Sequence, residues 1–156
     1  MKNQIIIQEK EFEKARKEIQ KQKKENPKSK IIFSSNNDEL NRKILEKELI
    51  DILLLNQKNR KDFQKQRDSG LNHVLAKLAK KNKIAIGINL DELIEEKNLK
   101  KKSEILARIR QNIKLCNKNK LQMKFIAQKQ ENERDIYDLK SLGLVLGMPT
   151  SMLKNL

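Results

Sequence analysis

Five short apolar runs, separated by polar stretches with helical spacing, restrict this chain to a narrow set of folds. They are Ile5-Ile6-Ile7, Ile31-Ile32-Phe33, Ile52-Leu53-Leu54-Leu55, Ile84-Ala85-Ile86-Gly87-Ile88, and Met123 with Phe125-Ile126-Ala127. The first four are continuous rather than alternating, the pattern of strands buried on both faces. Phe12, Ala15 and Ile19 mark a helix after the first run, and Leu40, Ile44, Leu45 and Leu49 mark one after the second. Leu71, Val74, Leu75 and Leu78 recur at i, i+3, i+4 and i+7 and predict a third, started by the Ser69-Gly70 turn. Ile105, Leu106, Ile109, Ile113 and Cys116 predict a fourth, with Ser103 as its N-cap. Strand and helix alternating five times predict an α/β fold of parallel units. A closing helix follows at Ile136, Leu139, Leu142, Val145 and Leu146; Gly147 is its C-cap, Pro149 bars continuation, and Thr150-Ser151 can start another.

The 156 residues fit one domain, 1–156, with enough chain for a real core. Hydrophobic and charged residues each make up 37%, close to the range where chains stay disordered. The clustering of the apolar residues argues for folding instead, and with no Trp and one Tyr the core must be mainly Ile and Leu. The single cysteine, Cys116, excludes an internal disulfide within the chain and a cysteine-based zinc site, and its place on an apolar helix face predicts a buried, inert thiol. No secretory leader is legible at Met1–Gln8, and no apolar stretch approaches membrane-spanning length, so a cytoplasmic protein that meets no membrane is expected. The stretch from Lys21 to Lys30 reads as a solvated helix end and loop closed by Pro27, with a short coiled-coil arm over 9–26 as the alternative.

The net charge of +15 points to a polyanionic partner. Lys, Asn and Ile are abundant together, as a biased base composition would produce, so the seven arginines are the better guide. Guanidinium recognises phosphate bidentately. Arg60 and Arg67 precede His73 at a helix start, where three phosphate-binding groups would converge. His73 alone reads equally as a helix cap or as a group in contact with RNA or a proton. Arg42 and Lys43 sit on the preceding helix and add to the same side; Arg108 and Arg110 read as a solvated helix face. Polar residues end the apolar runs at Gln8, Ser34-Ser35-Asn36, Asn56-Gln57, Asn89 and Gln128, the face where parallel sheets bind ligands. There is no G-x-G-x-x-G, Walker A or G-x-S-x-G motif, and one His without a Cys cluster argues against a tightly bound catalytic metal or a hydrolase triad, leaving a carboxylate-held Mg²⁺ open. Aromatics interleaved with basic residues are absent, so base stacking is not the expected mode.

The run Arg67-Asp68-Ser69-Gly70-Leu71-Asn72-His73-Val74-Leu75-Ala76-Lys77-Leu78, followed by Ile84-Ala85-Ile86-Gly87-Ile88, resembles the ribonuclease P protein component 3 family, the thirty-kilodalton subunit of archaeal and eukaryotic enzymes. Asp51-Ile52-Leu53-Leu54, the segment Arg108 to Leu115, and Asp138-Leu139 leading into Ser141–Met148 match in the same order, and the resemblance covers residues 38–149. It implies a TIM-barrel-like fold related to metal-dependent phosphoesterases. Here that fold is expected to be truncated: five strands where a closed barrel needs eight, the family's first two strands apparently lacking.

It also implies an RNA-binding subunit whose enzyme removes the 5′ leader of precursor tRNA. Cleavage is performed by the RNA subunit with Mg²⁺, so the isolated protein is expected to be inactive and to bind no cofactor of its own. The implied partners are ribonuclease P RNA, precursor tRNA, a ferredoxin-like protein subunit (component 2) and other ribonuclease P proteins. The family's basic positions carry over onto Arg67, His73, Lys81, Lys118 and Arg134, with Arg60 in a loop of different length and Arg42 or Lys43 at the matching helix position; Lys77 adds charge. The chain departs from its relatives at Asp91-Glu92, where an Arg-Pro is frequent, and at Ile136-Tyr137, where Pro-Arg is usual. Two other readings stand beside this one: a stand-alone metal-dependent phosphoesterase on a related barrel, and a protein-binding scaffold module.

Overall fold

The structure, a computed structural model, describes residues 3–156. All five apolar runs form strands: β1 (Gln4–Gln8), β2 (Lys30–Ser34), β3 (Ile52–Leu55), β4 (Ala85–Asn89) and β5 (Met123–Ile126). They make one sheet in the order β1-β2-β3-β4-β5, every pair parallel. The helices are α1 (Phe12–Glu25), α2 (Asp38–Lys47), α3 (His73–Lys81), α4 (Leu90–Glu95), α5 (Leu99–Lys118), α6 (Ile136–Leu146) and α7 (Thr150–Leu153), with a 3₁₀ turn at Gln130–Asn132.

Alternate strand residues separate into two apolar clusters, because successive side chains leave a strand on opposite faces. Ile7, Ile31, Phe33, Leu53, Leu55, Ile86, Ile88 and Met123 join the main core, beneath Ala15 and Ile19 of α1, Ile44 and Leu45 of α2, Ala76 and Ala79 of α3, and Ile109 and Ile113 of α5. Ile32, Ile52, Leu54 and Ile126 form the second cluster, with Ile6 and Ala85 packed against it. Gly87 keeps that inner face narrow. A Cβ there would come within 3.0 Å of Ile52 Cγ2 and 3.1 Å of Leu54 Cδ1. The sheet is curled: Gln4 of β1, Ile52 of β3 and Ile126 of β5 line one cleft, and at the other end Gln8 Nε2 donates to Gln128 Oε1 at 3.2 Å. The edge strands thus face each other across an open seam, giving a barrel-like α/β fold.

Local chemistry sets most helix starts. Asn37, Asn72, Asn89, Asn98 and Asp135 each accept backbone N–H bonds at a helix N-terminus. The structure differs from the sequence reading at several points. The third helix is capped by Asn72 rather than started by Ser69-Gly70, which places His73 as its first residue. The fourth begins at Leu99 behind Asn98, and Ser103 lies within it, bonding the carbonyl of Lys100 at 2.7 Å. Val74, assigned to the apolar stripe, is 65% exposed, while Leu75 and Leu78 of that stripe pack on the core together with Ala76 and Ala79. The short α4 has no counterpart in the sequence reading. Gly147 closes α6 in the left-handed conformation, and Pro27 lies beyond the end of α1 as expected.

Candidate nucleic-acid interface

The longest connection of the barrel, residues 56–72 between β3 and α3, holds the candidates Arg60 and Arg67 and leads directly into His73. Its shape depends on two arginines. Arg60 gives Nη1 and Nη2 to the two carboxylate oxygens of Asp38, both at 2.9 Å, and also meets Asp68 at 3.3 Å and the carbonyl of Asn56 at 2.6 Å. Burial opposes its charge, but the bond and charge of Asp38, with the charges of Asp68 and Glu92, hold its pKa above the ordinary arginine value. Its guanidinium rests against Gly70, whose φ of +76° few other residues adopt. Each of its three nitrogens is engaged in this cage, so the structure spends Arg60 on shaping the loop.

The second arginine overturns a reading. Arg108, expected on a solvated helix face, is 3% exposed. From α5 it donates to Asp62 Oδ1 at 2.9 Å, to the carbonyl of Gln57 at 3.1 Å and to that of Arg60 at 2.8 Å. Asn112, one turn on, donates to the carbonyl of Ser69, which Gln57 Nε2 also bonds. A signal for this was present: Arg108 and Asn112 occupy the same stripe as Ile105, Ile109, Ile113 and Cys116. Arg110, off that stripe, is exposed as expected.

Two acids at the C-terminal ends of the strands are also engaged. Glu92 accepts the backbone N–H groups of Gln57 (2.7 Å) and Lys58 (3.1 Å). Burial nevertheless keeps its carboxyl above the ordinary range, against the pull of those bonds and of Arg60 and Lys58. Asp91 accepts from the N–H of Gln128 and from Asn132 Nδ2, both at 2.8 Å. The mouth itself is mostly uncharged. Asn89 donates to Asn56, which donates in turn to Ser34 Oγ and Asn36 Oδ1. No group of three or more His, Cys, Asp or Glu side chains that could hold a metal ion occurs among the described residues.

Most of the remaining candidates lie on the helical shell. His73 and Lys81 are exposed along α3 with Lys77 between them, and Lys118 is exposed at the end of α5. Asn119 Nδ2 stands 3.5 Å from His73 Nδ1, which brings the end of α5 beside the start of α3. Arg42 and Lys43 on the neighbouring α2 pair with Glu46 and Glu39 at 3.0 and 3.5 Å. Arg67 is half exposed and meets Asp62 at 3.1 Å. Arg134 is set apart from these, in the connection before α6, where it donates to the carbonyls of Glu131 and Glu133. The result is a basic surface over α2, α3 and α5 beside a loop locked by buried arginines. Such a surface is suited to phosphate. No helix among the described residues is long and apolar enough to cross a membrane.

Known proteins resemble the chain closely enough to place it. A ribonuclease P protein component 3 of Methanococcus maripaludis is 30% identical over 117 residues, covering 75% of this chain and 46% of the relative. One from another strain of that species is 32% identical over 126 residues, covering 80% and 50%. The chain thus spans about half the length of the curated relatives it matches. A chain in a solved structure described as the cryo-EM structure of archaeal ribonuclease P with mature tRNA superimposes with a TM-score of 0.75 at 25% identity, over 96% of this chain and 62% of that one. The model of the family described as RNase P subunit p30 matches residues 5–156, and the chain belongs to that family.

Proposed function

We propose that this chain is an RNA-binding protein subunit of ribonuclease P that supports removal of the 5′ leader from precursor tRNA. The observation that carries the reading is the family match over residues 5–156, on a fold whose outer helices present a basic shell. The acids at the barrel mouth are consistent with it. Asp91 and Glu92 are consumed by Gln128, Asn132, Gln57 and Lys58, which favours a binding subunit over a phosphoesterase working alone. Catalysis falls to the RNA subunit with its Mg²⁺, and the protein needs no cofactor of its own. Its partners are ribonuclease P RNA, precursor tRNA and other protein subunits, including the ferredoxin-like component 2. Arg67, His73, Lys77, Lys81, Lys118 and Arg134 contact RNA, with Arg42 and Lys43 adding charge from α2, while Arg60 acts through the loop it holds.

Sequencing the RNA that co-purifies with the native protein tests the assignment. Enrichment of ribonuclease P RNA is expected, and its absence would overturn the reading. Reconstituted cleavage of precursor tRNA should weaken when Arg67→Ala replaces the native subunit. Metal-stimulated phosphoesterase activity of the protein without RNA would favour the alternative.

A further inference from the structure

The end of the barrel opposite the mouth carries a feature that the RNA-binding reading does not include. A groove of about 460 Å³ runs under β2, β3, β4 and β5, and Lys30, Lys80, Lys83, Lys120 and Lys124 line it with a single carboxylate, Asp51. One oxygen of Asp51 is committed to the N–H of Ile31 at 2.8 Å. Among the described residues Lys30, Lys80, Lys83 and Lys120 take part in no ion pair. The groove adjoins a second cleft of about 340 Å³ that shares Lys30 and Lys124 and is lined by no acidic side chain.

Two of these lysines stand where a lysine is conformationally unwelcome. The sequence Lys81-Asn82-Lys83-Ile84 after α3 is repeated as Lys118-Asn119-Lys120-Leu121 after α5. Both copies form the same helix-ending turn. The N–H of Ile84 bonds the carbonyl of Ala79, and that of Leu121 bonds the carbonyl of Cys116, at 2.9 and 2.8 Å. Lys83 and Lys120 occupy the left-handed position of these turns, with φ of +57° and +54°. Glycine is the usual residue there because a Cβ strains the backbone. Two neighbouring turns each place a lysine at the left-handed position, and both lysines line one groove. Lys80 ties the two turns together through Nζ, which donates to the carbonyl of Lys120 at 2.8 Å.

We propose that this lysine groove at the N-terminal ends of β2 to β5 is a second site for RNA backbone phosphate, continuous through α3 with the surface of His73, Lys77 and Lys81. It rests on the RNA-binding reading above and extends it to a face that no family motif marked. Lysine, as a mobile point charge, neutralises phosphate without reading sequence, so the site sets affinity and orientation rather than specificity.

The double variant Lys83→Gly/Lys120→Gly tests it without risk of unfolding, because glycine relieves the turns it enters. Its melting temperature should rise. Its affinity for a 20-base-pair RNA duplex should fall about tenfold at moderate salt. The slope of log K against log salt should shrink by roughly 1.5, at about 0.7 to 0.9 for each phosphate no longer neutralised. Lys17→Gln/Lys21→Gln, removing equal charge from the exposed face of α1, should leave both quantities near the native values. Unchanged affinity and slope in the glycine variant would overturn the groove while leaving the RNA-binding reading intact. An equal loss in the control would show bulk charge alone and overturn it too. If polyglutamate binding suffers and RNA binding does not, the groove belongs to an acidic protein and the proposal fails. A native chain that binds no RNA would overturn both readings together.

Discussion

The guanidinium of Arg60 occupies the space that a side chain on residue 70 would need: a Cβ built on Gly70 falls 2.5 Å from Nη2. The pair explains why a glycine sits beside a conspicuous Arg-Asp-Ser sequence. Gly70 supplies the positive φ that turns the loop toward α3, and its bare Cα lets Arg60 reach Asp38 and Asp68.

Gly70→Ala should therefore destabilise the fold by about 2 kcal/mol, from the left-handed backbone alone, with more from displacing the guanidinium. Chemical denaturation reads this directly. A change below about 0.5 kcal/mol would mean that Arg60 relocates freely and does not organise the loop.

Acid titration should expose two carboxyls of opposite sign. Burial raises the pKa of Asp62, but the bond from Arg108, the N–H of Asp68 and the charges of Arg108 and Arg67 outweigh it, so the folded value lies below 3.8. Asp62 thus contributes stability that is present above its unfolded pKa and lost as pH falls through the depressed folded value. Glu92 lies above 4.5 in the folded protein because burial dominates, so its contribution is favourable below the unfolded pKa and lost as pH rises through the folded one. Urea midpoints from about pH 2.5 to about pH 7 should show a smaller acid-side loss in Asp62→Asn. The decline above pH 4.5 should flatten in Glu92→Gln. Two profiles parallel to the native one would refute the assignment.

Cys116 should be silent until the fold opens. Burial pushes its thiol up to about 12, and the side chain is fully enclosed among Ile109, Ile113 and their neighbours. A thiol reagent at about pH 8 should react with native protein only at the rate of opening, and stoichiometrically in denaturant. Prompt labelling of the native chain would show that α5 does not sit closed on the sheet.

The strands and most helices were legible because their signals are local: continuous Ile and Leu runs make buried strands, and Asn or Asp before an apolar repeat starts a helix. Gly147, Pro27 and Cys116 behaved as their chemistry requires. What escaped was charge that the fold takes inside. Arg108 reads as solvated because its acceptors, Asp62 and the carbonyls of Gln57 and Arg60, lie more than forty residues away in the chain. Its place on an apolar stripe was the available warning. Arg60 was visible as a phosphate ligand by type, yet only the fold reveals Asp38 in front of it. Val74 failed for the opposite reason: it is spaced like a stripe residue but stays exposed beside Leu71, Leu75 and Leu78, which do pack on the core. The lysine groove was hidden because Lys30, Lys83, Lys120 and Lys124 are unremarkable one at a time in so basic a chain. Only the sheet brings them under one rim.

The strictly sequential sheet order also bears on how the chain is made. Each new strand pairs with the one just before it and with nothing earlier, so the fold can grow from β1 toward β5 as residues emerge during synthesis. No strand must wait for a distant partner before its backbone is satisfied on one side. The contact between Gln8 and Gln128 can form only once both ends of the described sheet exist.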